Sequence, residues 1–168
     1  MSEQAQPGRP AAPPEHSPGP VCGKVLSHNS IVLPLRSATL KDAVDELVPK
    51  ALHGAGDIVR SSAKIAESLK KGLSLRSVEY HRGLAFLHHR LKEAPAARMA
   101  LGIAPDGLEA DGAPGGRVFV VALFLKPTRE PGYDIPPWAR KTMCSERMVY
   151  RLRTAADVGA ALQALAEP

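Results

Sequence analysis

The sequence predicts an α/β fold, a mixed sheet flanked by helices on both faces, formed by a single domain over residues 29–168. Three observations carry this. Val118 to Leu125 is apolar at every position, which suits a strand buried on both faces in the middle of a sheet. Gly83-Leu84-Ala85-Phe86-Leu87 is a second short apolar run behind a glycine. Helical periodicity appears before and after these runs, so strands and helices mix along one chain and must pack as layers.

Taken in order, residues 1–28 contain Pro7, Pro10, Pro13, Pro14, Pro18 and Pro20, and the first twenty positions carry scarcely any large apolar side chain. Such a segment cannot repay the entropy of ordering, so it reads as a disordered, Pro-rich N-terminal arm. Ile31 to Leu35 has strand character, and Pro34, which lacks a ladder donor, makes it a border strand. Thr39 with Asp42 resembles a capping box, after which Leu40, Ala43, Val44, Leu47, Val48 and Ala51 share one helical face. Pro49 crowds the carbonyl of Asp45, so this helix is expected to kink or stop there.

Gly54-Ala55-Gly56 breaks the chain, and Asp57 is placed to cap a second helix with the stripe Ile58, Ile65, Ala66 and Leu69. Lys70, Lys71 and Gly72 suit its C-terminal end. Residues 73–82 show no period and read as a loop. The strand from Gly83 is expected to end on His88, His89 and Arg90, which emerge at the end of the sheet on rigid backbone, and the chain is expected to turn from Arg90 to Pro95. Ala97 to Ile103 alternates as a further strand, followed by turn chemistry at Pro105-Asp106-Gly107, Asp111-Gly112 and Gly115-Gly116. Beyond the central run, residues 127–137 connect to a helix that starts at Pro137 and reaches about Arg153. Thr154 with Asp157 then predicts a capping box for a last helix bearing Val158, Ala161, Leu162 and Leu165.

The formal charge of +5 is concentrated rather than spread. Arg60, Lys64, Lys70, Lys71, Arg76, Arg82, Arg90 and Lys92 surround the histidines, and Arg140, Lys141, Arg147, Arg151 and Arg153 form a second group. Clusters of this kind attract phosphate groups or an acidic partner surface. Nucleic acid is not expected, because the cations are not interleaved with stacking aromatics. Cys22 and Cys144 are too few for a disulfide framework or a zinc site. His88 and His89 could share a metal only if the strand has already ended before them, and no carboxylate or thiol cluster accompanies them or His81, so no metal is expected. With no secretory pattern and no run near ~18 apolar residues, the expectation is a cytoplasmic protein without stable membrane insertion.

Gly83, Ala85, His88 and Arg90, then Ala100-Leu101-Gly102, Pro105, Gly107-Leu108 and the strand ending at Pro127, stand in an order that resembles enzyme IIA domains of the fructose and mannitol type, including the nitrogen-regulatory branch. These are phosphocarriers of the bacterial phosphotransferase system. The resemblance implies that His88 accepts phosphate from an HPr-like phosphodonor and passes it to a IIB domain, or uses it as a regulatory signal toward a target protein. It implies no cofactor. Imidazole suits the role, since with a reference pKa of about 6.5 its neutral nitrogen is nucleophilic near pH 7. Orientation and positive potential do the rest, and His89, Arg90, Arg82 and Ser77 are the residues expected around the phosphate.

The sequence also departs from the family pattern. Leu87 replaces a proline, His89 replaces a usual glycine, and Ser77 to Arg82 replaces a glycine-rich turn. A second histidine, often found in the family after the central strand, has no counterpart here, and Arg140 is the residue weighed as its substitute. A transfer-deficient regulatory module that binds a partner protein on the same fold is therefore the alternative.

Overall fold

The computed structural model describes residues 25–75, 78–92 and 94–167. All but the last four residues of the expected N-terminal arm, and Ser77, lie outside them. Strand β1 (Ile31–Val32) precedes helix α1 (Leu40–Ala51), and a 3-10 segment leads into α2 (Ser62–Ser74). Four strands follow, β2 (Glu79–His81), β3 (Leu84–Leu91), β4 (Arg98–Glu109) and β5 (Arg117–Pro127). The chain closes with α3 (Pro137–Met143), α4 (Glu146–Arg153) and α5 (Val158–Ala166).

The strands form one sheet in the order β1-β4-β5-β3-β2. β5 is its middle strand, antiparallel to β4 and parallel to β3, while β1–β4 is parallel and β2–β3 antiparallel. Side-chain alternation sends Ala85, Leu87, Val121, Leu123 and Leu125 to the face covered by α1 and α2. Phe86, Val120, Ala122 and Phe124 go to the face covered by α3, α4 and α5. Burial on both sides is why β5 carries no polar residue between Val118 and Leu125. No helix among the described residues is long and apolar enough to cross a membrane.

Several elements differ from the sequence expectation. Residues 73–82 are not a loop, because α2 runs to Ser74 and Glu79–His81 forms a hairpin with β3. The two-residue turn is Arg82-Gly83, with φ of 44° and 87°. That is the doubly left-handed turn that matches strand twist, and arginine in its first position hides the signal that Asn-Gly would have given. β3 does not stop at the histidines and turn from Arg90 either, but runs to Leu91. It continues through His88, His89 and Arg90, which pair with Phe124, Leu125 and Lys126, so these residues lie within the sheet rather than beyond it.

Pro105-Asp106-Gly107 does not end β4. It forms an irregularity between Ile103 and Leu108, where proline gives no ladder donor and Gly107 adopts φ 84°. The expected helix from Pro137 to Arg153 is two helices, broken where Ser145 turns extended and its hydroxyl accepts from Met148 N at 3.1 Å. Asp157 itself caps α5, accepting from Ala160 N at 2.8 Å, whereas the Thr154 hydroxyl donates back to Tyr150 O. Thr39 caps α1 as expected, and Pro49 sits in the last turn, which ends at Ala51.

Candidate functional site

His88 stands on the α3–α5 face of β3, where the sheet runs out from under the helices, and its side chain remains 34% exposed. It lines an open cleft of about 510 Å³ with Val78, Glu79, Tyr133, Asp134, Ile135 and Arg140. β2 supplies Glu79, α3 supplies Arg140, and the loop after β5 supplies Asp134.

The Asp134 carboxylate lies 3.6 Å from His88 Nδ1 through one oxygen and accepts from Arg90 Nε at 2.6 Å through the other. At 3.6 Å the first contact is electrostatic rather than a direct hydrogen bond. It still favours a proton on Nδ1, which leaves the lone pair on Nε2. Arg90 spends its remaining donors on the same loop, donating to Glu130 O and Gly132 O at 2.9 Å each. The guanidinium thus fixes the loop that carries Asp134.

Across the cleft, Arg140 donates to both oxygens of Glu79, Nε to Oε1 at 3.0 Å and the second nitrogen to Oε2 at 2.6 Å. His81 Nε2 is a further partner of Glu79 Oε1 at 2.6 Å. The Arg140 hydrogen bonds, helped by His81 and opposed by burial, hold the Glu79 carboxyl at about 2. Both arginines that face this region, Arg140 and Arg90, are therefore paired with carboxylates.

His89 alternates to the other face of β3, and another cavity of about 330 Å³ is lined by His88, His89, Arg90 and Asp134 together with Ser68, Leu69, Gly72 and Leu73 of α2. Burial first, and His88 second, lower its pKa, so it is neutral at pH 7. The carboxylate partner of His88 Nδ1 among the described residues is Asp134. Arg82 sits on the hairpin turn, 68% exposed and paired with Glu146, and does not line the His88 cleft. Of the expected set, His88 and Arg90 come together around Asp134, His89 shares the cavity beside α2 with them, and Arg82 faces elsewhere. Among the described residues, no group of three or more His, Cys, Asp or Glu side chains is arranged to hold a metal ion.

Sequence reasoning missed Asp134 and Glu79. Asp134 lies in Pro131-Gly132-Tyr133-Asp134, which carries no periodicity, and Glu79 lies in the segment read as a loop. A hairpin reading of His81-Arg82-Gly83-Leu84 is the signal that would have put Glu79 on the His88 face.

No protein-family model matches the sequence, and no curated protein matches it. Solved structures do. The nitrogen regulatory protein IIA-Ntr from Neisseria meningitidis superposes with a TM-score of 0.72 at 20% identity, covering 86% of this chain and 98% of its own. The mannitol IIA of Escherichia coli gives 0.69 at 15% identity, over 83% of this chain and 98% of its own. The complex of enzyme IIA-mannitol with phosphorylated enzyme IIB-mannitol from Escherichia coli gives 0.67 at 15% identity, over 85% and 98%.

Proposed function

We propose that His88 is a phosphoryl acceptor and that the protein is a phosphocarrier, loaded by an HPr-like phosphohistidine protein and discharged to a IIB domain or read as a regulatory signal. The fold supports this reading, since it is that of the phosphotransferase-system IIA proteins of the mannitol and nitrogen-regulatory type. The observation that carries it is the imidazole itself, one-third exposed in an anion-sized cleft with a carboxylate behind Nδ1.

In the forward step the lone pair of Nε2 attacks phosphorus, the phosphorus–nitrogen bond of the donor imidazole breaks, and the donor nitrogen keeps the electron pair. The His88 proton stays on Nδ1, facing Asp134, which stabilises the cationic ring that forms. Arg140 lines the same cleft and is the cation able to exchange its Glu79 partner for phosphoryl oxygens. A IIB domain is the acceptor expected by analogy with the mannitol IIA–IIB complex.

One observation favours a second reading. Arg140 and Arg90 are each paired with a carboxylate, Glu79 and Asp134, which reduces the positive potential around His88 and suits a module that binds a partner without transfer. Incubation with phosphoenolpyruvate, enzyme I and HPr separates the two. Acid-labile phosphate on the wild type, absent from His88→Ala, supports the carrier. No label on a correctly folded wild type overturns it and leaves the binding module, and label retained by His88→Ala moves the acceptor elsewhere.

A further inference from the structure

On the other side of the loop that carries Asp134 lies a second cavity, of about 370 Å³, with walls that are mainly apolar. Phe124, Pro136, Pro137, Trp138 and Val25 form those walls. The lining also contains a lysine that is 8% exposed, Lys126. Its ammonium donates to Pro131 O at 2.8 Å and Tyr133 O at 3.0 Å. An ammonium has three donors, and both acceptors here are neutral. Among the described residues, no carboxylate comes within 4.0 Å of it, so a buried positive charge is left without a counter-ion.

The other charged residues at this cavity do not supply that counter-ion. Asp134 is engaged by Arg90, Glu130 is exposed, and the Arg98 guanidinium donates to His53 O and Gly54 O beyond the end of α1. Burying an ammonium is costly unless an anion or several dipoles offset it. A carboxylate entering from the cavity would meet that demand, and the apolar walls would take the body attached to it.

We propose that this cavity is a binding site for a small monocarboxylate with an apolar, planar body, held by Lys126 at its charged end and packed against Trp138 and Phe124. Predominantly apolar walls with a few placed polar groups are the usual make-up of small-molecule pockets. By the measure that a ~150 Å³ cavity admits benzene, the space here admits about fifteen non-hydrogen atoms. With two of its three donors already given to carbonyls, Lys126 suits a monocarboxylate better than a phosphate, whose dianion needs more donors than Lys126 has left.

Trp138 is the single tryptophan of the chain and lies in the wall, so it reports occupancy directly. The test titrates the full chain with 3-phenylpropionate, with 3-phenylpropanol as the neutral isostere and 3-phenylpropylamine as the cation, following Trp138 emission. A saturable change with the carboxylate, at least ~10-fold weaker with the alcohol and absent with the amine, is the expected result. Equal response to acid and alcohol overturns the role of Lys126, and no saturable response to the acid overturns the site. Lys126→Met is expected to lose the carboxylate preference. Because that substitution also releases two loop carbonyls, its fold is checked by circular dichroism, and amide shift changes in the wild type at residues 124–138 provide a readout that needs no variant. Shifts confined to other regions overturn the proposal. None of these outcomes depends on whether His88 carries phosphate.

Discussion

Asp134 places one carboxylate oxygen 3.6 Å from Nδ1 of His88 while its other oxygen is held by Nε of Arg90 at 2.6 Å. The imidazole and the guanidinium come from alternate positions of one strand, so they project from the same face. A single loop residue therefore links the proposed acceptor to the cation that fixes the loop. The carboxylate favours a proton on the Nδ1 that faces it, and the arginine orients the carboxylate.

Asp134→Asn keeps the shape and removes the charge that favours Nδ1–H. Phosphoryl transfer to His88 is expected to slow on the order of 10–100-fold, the usual cost of losing a group that orients a reacting imidazole. Pre-steady-state labelling measures the rate, and an unchanged rate would show that Asp134 does not set the ring's tautomer.

Arg90 distinguishes phosphate binding from loop fixing. Its donors go to Asp134 and to the carbonyls of Glu130 and Gly132, so Arg90→Ala should loosen residues 128–134 and lower stability by about 2 kcal/mol. Hydrogen exchange is expected to rise in that loop first. If exchange there stays slow while phosphate labelling collapses, the side chain acts on phosphate instead.

Glu79 has a pKa of about 2 in the folded chain against an ordinary 4.5, chiefly through the hydrogen bonds from Arg140. It binds a proton less readily when folded than when unfolded, so its stabilisation is complete above pH 4.5 and is lost as pH falls toward 2. Glu79 and Arg140 are partly open to water, which reduces the effect to roughly 1 kcal/mol. Urea unfolding from pH 6 to pH 2 should show a shallower acid limb for Glu79→Gln than for the wild type, and parallel limbs would remove Glu79 from the account.

Gly83 occupies φ 87° in the Arg82-Gly83 turn. Gly83→Ala is expected to cost about 1–2 kcal/mol, because a Cβ is disfavoured at that angle. A Cβ at this position would also come within 2.9 Å of the Phe119 ring. Thermal unfolding checks this, and a neutral result would mean that the hairpin tolerates another turn.

The layered α/β architecture, the middle strand at residues 118–125 and the helix beginning after Thr39 were legible in the chain, because periodicity and capping are local properties. His88 was legible as the candidate acceptor, and Arg140 as a cation to weigh beside it. The length of β3, the hairpin at Arg82-Gly83 and the break at Ser145 were not, since each depends on pairing or packing that overrides a weak or contrary local signal. Sequence by itself determined which stretches are buried and which imidazoles are available for chemistry. Only the tertiary structure decided that His88 and His89 point apart, that Asp134 is the carboxylate behind the His88 ring, and that Lys126 is buried with no carboxylate among the described residues within 4.0 Å. The physical reason is that electrostatic partnership depends on distance through space, and the loop carrying Asp134 is held against β3 by Arg90 and against β5 by Lys126, contacts that no pattern along the chain records.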